Sequence, residues 1–236
     1  MSNKKINKSI GNMYDFVSTW NPLAGECSHG CIYCSTNKLF RFPAVKEKYT
    51  GAVRIDENSI NKQPSKNTDM LFVCAQTDLF ARNVPDEIIL KVLSKCNNGK
   101  VNYFFQTKNP ARFVEFKNLI PIGSILCCTI EADCIPNHND IYTGFVPCVE
   151  RRLIEMKKID WISKQITIEP IMKIYNVRYF ASLIESTNPT QVNIGANSYK
   201  KLQLDEPTKS EILDLIDKLE KFTVVHKKSN LSRLLS

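Results

Sequence analysis

Along this chain, short apolar runs of β type alternate with segments whose apolar residues recur at helical spacing. The strand candidates are Phe16–Trp20, Met70–Cys74, Val101–Gln106, Ile125–Ile130, Gln165–Ile168 and Gln191–Ile194, with a further run at Phe222–Val225. Each is short and rich in β-branched or aromatic residues, and several are apolar at consecutive positions, as a strand covered on both faces requires. Between them, Pro85-Asp86-Glu87 opens a stretch that puts Ile88, Ile89, Val92, Leu93 and Cys96 on one face, and Asn97-Asn98-Gly99 ends it. Further helices are predicted at Pro110–Leu119, Val149–Ile159, Val177–Ser186 and Thr208–Leu219. The alternation gives six βα units around a parallel sheet, an α/β fold. Asn58–Asn67 and Asp133–Pro147 read as polar, turn-rich loops.

The 236 residues, 43% hydrophobic and 24% charged with 8 Gly and 11 Pro, are those of an ordinary folded protein and exclude a disordered or fibrous one. With no linker-like tract, the chain reads as one core domain over 1–236, with basic extensions at about 1–13 and 222–236. No apolar run approaches the ~20 residues that span a bilayer, and no apolar stretch follows the N-terminal lysines, so a cytoplasmic protein is expected, with no membrane partner. The net charge of +8 favours a polyanionic partner, although lysines at the two ends also fit solvated termini. Nine cysteines in a reduced compartment point to metal binding or catalysis rather than a disulfide framework.

The sharpest feature is Cys27-Ser-His-Gly-Cys31-Ile-Tyr-Cys34, directly after the first strand candidate and Asn21-Pro22. Three thiolates at this spacing converge on one centre, with Gly30 relieving the backbone where the chain curls. Three ligands leave one site open in a four-iron cluster, whereas a structural zinc would need a fourth protein ligand from His29 or a distant cysteine. His29 sits too tightly between two ligands to share their ion, so it reads as a supporting or surface residue.

Cys27-x3-Cys31-x2-Cys34, with Tyr33 before the last cysteine, resembles the signature of the radical S-adenosylmethionine (SAM) superfamily. The phrase Thr19-Trp-Asn-Pro-Leu leading into it resembles proteins related to spore photoproduct lyase. From Trp20 onward the chain also resembles a phage-associated family of uncharacterised radical-SAM-like proteins. That likeness is carried by Leu71-Phe-Val-Cys-Ala-Gln-Thr-Asp-Leu-Phe, Val84-Pro-Asp-Glu, Phe105-Gln-Thr-Lys-Asn-Pro-Ala-Arg, Thr129-Ile-Glu131, Ile168-Glu169-Pro170 and Val192-Asn-Ile-Gly195. That family usually has a longer gap between its first two cysteines. The resemblance implies a partial (β/α)6 TIM-like barrel of parallel strands. It also implies a [4Fe-4S] cluster on Cys27, Cys31 and Cys34, bound SAM, reductive cleavage of SAM to a 5′-deoxyadenosyl radical, and an electron donor such as flavodoxin or ferredoxin.

In such a barrel the chemistry sits at the C-terminal ends of the strands. There the resemblance implies SAM contacts from Ala75, Gln76 and Thr77, from Thr129 and Glu131, and from the backbone around Gly195. Glu169, costly to bury alone, should face the cavity or meet a cation, and Lys108 is a candidate substrate-facing cation. Cys74, Cys127 and Cys128 read as core, whereas Cys134 and Cys148, in loops, are candidate hydrogen-atom donors. Basic charge and the lyase likeness favour a nucleic acid or nucleotide substrate, with Tyr142 and Phe145 available for stacking. A peptide or small-metabolite substrate, or a non-enzymatic zinc-stabilised nucleic-acid-binding module, are the competing readings.

Overall fold

The computed structural model describes residues 18–62, 70–96, 101–199 and 202–236. The expected helix stop at Asn97-Asn98-Gly99, the basic segment 1–13, the start of the first strand candidate at Phe16 and Val17, and residues 63–67 of the first polar loop lie outside the described residues. The strands are β1 (Ser18–Trp20), β2 (Leu23–Ala24), β3 (Arg54–Ile55), β4 (Met70–Val73), β5 (Asn102–Thr107), β6 (Ile125–Thr129), β7 (Lys164–Ile168), β8 (Gln191–Ile194) and β9 (Val224–Lys227). Seven of them form one sheet in the order β1-β4-β5-β6-β7-β8-β9, every pairing parallel. This is the expected α/β architecture of a partial TIM-like barrel, with Phe222–Val225 contributing to the seventh parallel strand. The small antiparallel pair β2–β3 and the short helices Ser35–Leu39, Pro43–Lys48, Glu57–Ile60 and His138–Ile141 span too few residues to show a period, and the hydrophobic pattern did not predict them.

The period of two along each strand separates the two faces of the sheet. Leu71, Val73, Tyr103, Phe105, Leu126, Cys128, Ile166, Ile168, Val192 and Ile194 join the large core beneath the helices. The opposite face is graded. Phe72, Phe104 and Cys127 form a small apolar cluster on its first half. On β7 and β8 amides replace them: the Gln191 side chain donates to Asn193 at 2.6 Å, which donates to Gln165 at 3.1 Å. Each fully buried aliphatic side chain on the helical face contributes about 1.5–3 kcal/mol.

The covering helices are Asp86–Cys96, Ala111–Phe116, Val149–Lys158, Val177–Glu185 and Lys209–Leu219. The last starts from a capping box in which Thr208 and Glu211 satisfy each other's backbone N–H groups, and it turns Ile212, Leu215, Ile216 and Leu219 inward. Because every strand of the sheet runs the same way, all seven C-terminal ends gather at one rim.

Candidate functional site

The loop after β2 carries the three cysteines. Cys34 N–H donates to Cys31 O at 3.0 Å, and Cys34 opens the helix Ser35–Leu39 as its N-cap. Gly30 has φ +57, and a Cβ there would lie 2.2 Å from Thr143 Oγ1; a Cβ on Gly144 would lie 2.0 Å from Ser28 O. Two glycines thus let the cysteine loop and residues 141–145 meet backbone to backbone. Ile32 N–H donates to Ile141 O at 3.1 Å, Thr143 N–H to Gly30 O at 3.0 Å, and Cys31 forms an isolated β-bridge with Tyr142.

Cys27, Cys31 and Cys34 all line one cavity of about 430 Å³ that runs along the rim of strand ends. Ala75, Gln76, Thr77, Thr129, Lys108 and Glu169 line it too, with Asp78, Asn197, Ser198 and Lys228. Burial pushes the Cys27 thiol up to about 12, the negative charge of Asp78 and the neighbouring thiolates adding to it. Burial raises the Cys31 thiol as well, against the opposing pull of Lys108. A metal centre would have to displace those protons. Among the described residues no group of three or more His, Cys, Asp or Glu stands close enough to hold a single metal ion.

Within the cavity wall, Gln76 is braced from both sides: its N–H donates to Asn21 Oδ1 at 3.1 Å, and Thr36 Oγ1 donates to its backbone oxygen at 2.8 Å. Thr129 is 2% exposed and accepts from the Gln106 side chain at 3.0 Å. Glu131 does not line the cavity. It is fully buried, and it accepts from Arg152 Nη1 at 2.8 Å and from the Tyr33 hydroxyl at 2.5 Å, with Lys108 Nζ at 3.6 Å. Burial would raise its carboxyl, yet the charges of Arg152 and Lys108 and these hydrogen bonds hold it down to about 2. Glu131 thus sits in a buried ion network whose members Lys108 and Tyr33 reach the cavity.

Glu169 behaves differently. It faces the cavity and pairs with Lys228, and Asn230 donates to it at 3.0 Å. Gly195 sits behind this group, buried, and a Cβ on it would lie 2.9 Å from both Glu169 Oε1 and Lys228 Cδ. Lys228 and Asn230 follow β9, so the basic end of the chain closes one side of the site. A basic C-terminal tail gave no sign of that role.

Cys134 and Cys148 are exposed and are not among the residues that line the cavity, whereas Cys74 is 2% exposed, lines it, and holds φ +59. Tyr142 is 1% exposed, so it cannot stack on a substrate as expected; it packs edge-on to Tyr33 at 6.2 Å. Phe145 is 46% exposed, with the Arg82 guanidinium 4.6 Å from its ring centre. His29 is buried, with Nδ1 2.9 Å from Phe145 O and Nε2 2.7 Å from Asp78 Oδ2. Both ring nitrogens are engaged, which leaves no lone pair for a metal.

Fold and cavity define a parallel α/β protein with a cysteine-lined site at the strand ends. A double mutant of spore photoproduct lyase, solved with bound AdoMet and dinucleoside spore photoproduct, has the same fold, at a TM-score of 0.60 and 11% identity over 94% of this chain and 81% of that one. Spore photoproduct lyase complexed with dinucleoside spore photoproduct aligns at a TM-score of 0.51 and 12% identity, over 85% of this chain and 60% of that one. The chain belongs to a family described as protein of unknown function (DUF5131), whose model matches residues 14–178. No curated protein matches the sequence. Among the described residues no helix is long and apolar enough to cross a membrane.

Proposed function

We propose that the protein is a radical SAM enzyme, with Cys27, Cys31 and Cys34 as the ligands of a [4Fe-4S] cluster. One observation carries this reading: the three thiols of a Cys-x3-Cys-x2-Cys loop open into the same cavity as the C-terminal ends of a parallel sheet. The donor set fits. Cys27, Cys31 and Cys34 would hold such a cluster as its three thiolate ligands, leaving it one position open to a small molecule, whereas a structural zinc would call for a fourth protein ligand. When bound, the cluster supplies an electron for the cleavage of SAM to methionine and a 5′-deoxyadenosyl radical.

The chain's own part is to bind, orient and exclude water. Gln76, fixed by Asn21 and Thr36, and its neighbour Thr77 offer hydrogen-bonding groups beside the cysteine loop, and Lys108 offers a cation to an anionic group of the bound molecule. Thr129 and the Gly195 region remain the contacts for the rest of SAM. A nucleic acid or nucleotide is the proposed substrate, supported by the net charge of +8 and by the dinucleoside bound in the similar lyase structures. An electron donor such as a flavodoxin or ferredoxin would serve the cluster.

Anaerobic purification with iron, sulfide and zinc analysis, followed by dithionite, SAM and assay of 5′-deoxyadenosine, tests this. The expected result is an iron- and sulfide-loaded protein that cleaves SAM, and a Cys31→Ala variant that does not. A protein that holds zinc and leaves SAM intact overturns it.

A further inference from the structure

We infer that His29 and Asp78 are positioning residues that lock the cysteine loop into its metal-receiving shape before any metal arrives. The inference rests on the cluster reading above and concerns what prepares the loop for it.

Hydrogen bonds hold the pair from several segments at once. The Asp78 carboxylate accepts from His29 Nε2 at 2.7 Å, Thr107 Oγ1 at 2.8 Å, Lys108 N–H at 3.0 Å and Phe80 N–H at 2.9 Å. The Thr107 hydroxyl itself accepts from Asn109 N–H at 2.9 Å, so its hydrogen goes to Asp78. Three of these contacts converge on Oδ2 and one reaches Oδ1, and burial of the carboxyl is offset by these hydrogen bonds and the His29 contact, which hold it below its ordinary value. His29 Nδ1 faces only a carbonyl oxygen, that of Phe145, and therefore bears a hydrogen. Its Nε2 meets the carboxylate, so the ring is held at both ends.

This geometry reaches three places at once. On one side His29 ties the turn between Cys27 and Cys31 to residues 141–145, where Gly30 and Gly144 already permit backbone contact. On the other it ties that turn to the loop after β4. Through Thr107 and the Lys108 N–H, the same Asp78 sets the end of β5, and so the base of the cation that stands beside the thiols. Any buried imidazole needs a partner at each ring nitrogen; what sets His29 apart is that both partners lie far from the cysteine turn in sequence. Here a single side chain braces a loop of three ligands against two distant segments, as groups behind metal ligands do.

The test uses the anaerobically purified full chain. Release of iron to a chelator is followed for the wild type and for His29→Leu, Asp78→Asn and His29→Gln, with thermal melting as the control for folding. Release is expected about 10–100-fold faster in the Leu and Asn variants, the usual scale for support behind metal ligands. His29→Gln keeps a donor and should fall between. Equal release rates, or a Gln variant no slower than the Leu one, overturn the inference while leaving the cluster reading intact. If the wild type holds no iron or sulfide, the cluster reading fails, and alkylation of the metal-free chain decides the clamp. Mass spectrometry should then show Cys27, Cys31 and Cys34 reacting several-fold faster in the variants, relative to the exposed Cys134 and Cys148. Unchanged ratios overturn it.

Discussion

Glu131 and Glu169 occupy matching places, each just past the end of a central strand, yet the fold uses them in opposite ways. Glu131 lies fully buried between two cations and a tyrosine. Glu169 lies in the cavity wall, with a lysine and an amide as partners. What separates them is the helix behind. Val149–Lys158 sends Arg152, fully buried, under the end of β6, where Nη1 also donates to Thr129 O at 2.6 Å. Once a guanidinium is there, the adjacent carboxylate must turn toward it, because an unpaired buried charge costs several kcal/mol. The cation that Glu169 meets, Lys228, follows β9 and lines the cavity itself, so Glu169 stays in the cavity wall. Position at a strand end therefore does not define a binding residue; the charge on the neighbouring helix does.

The sharpest way to break this comparison is Glu131→Gln. It leaves Arg152 and Lys108 without a counter-charge and is expected to cost about 3–5 kcal/mol, measured by denaturant unfolding. The acid side follows from linkage. The folded carboxyl is held at about 2, below its ordinary 4.5, so its stabilisation is complete above about 4.5 and is lost as pH falls toward 2. Wild-type stability should fall across that window, and the Gln variant should show a shallower fall. A Gln variant as stable as the wild type would mean that the network carries no stability.

Much of this frame was legible in the sequence. Every strand of the large sheet coincides with a strand candidate to within two residues at each described end, and in the central strands burial on both faces leaves a continuous local signal. The cysteine spacing likewise lies within eight consecutive residues. The partners were not legible. His29 meets Asp78 from 49 residues away, Glu131 meets Arg152 from 21, and Asn230 meets Glu169 from 61. Such pairings leave no periodic trace, since either residue alone looks like an ordinary surface group. Tyr142 misled for the same reason: only the bridge to Cys31 shows that it is inside.

Glu169→Gln should act in the other direction, on binding more than on stability. Lys228 would keep water within reach through the cavity, so a cost of about 1–2 kcal/mol is expected from the weakened charged hydrogen bonds. Binding of SAM or of a nucleotide to the anaerobically loaded protein, followed by calorimetry, should weaken measurably. If Glu169→Gln instead destabilises as much as Glu131→Gln with binding unaffected, the two carboxylates are both structural and the contrast drawn here fails.

The smallest effect is expected at the third region, where Cys134 and Cys148 stand exposed. Serine at either position changes one surface atom and should shift stability by no more than about 0.5 kcal/mol. The consequence for chemistry is the informative part. On the proposed radical reading a hydrogen-atom donor would have to meet the substrate radical within the cavity, and of the thiols outside the ligand loop it is Cys74, not these two, that lines it. Formation of 5′-deoxyadenosine should therefore proceed at the wild-type rate in both serine variants. Loss of turnover in either would require the loops 133–137 and 142–148 to fold over the rim during reaction. The chamber would then extend beyond the wall that Glu169 and Lys228 now close.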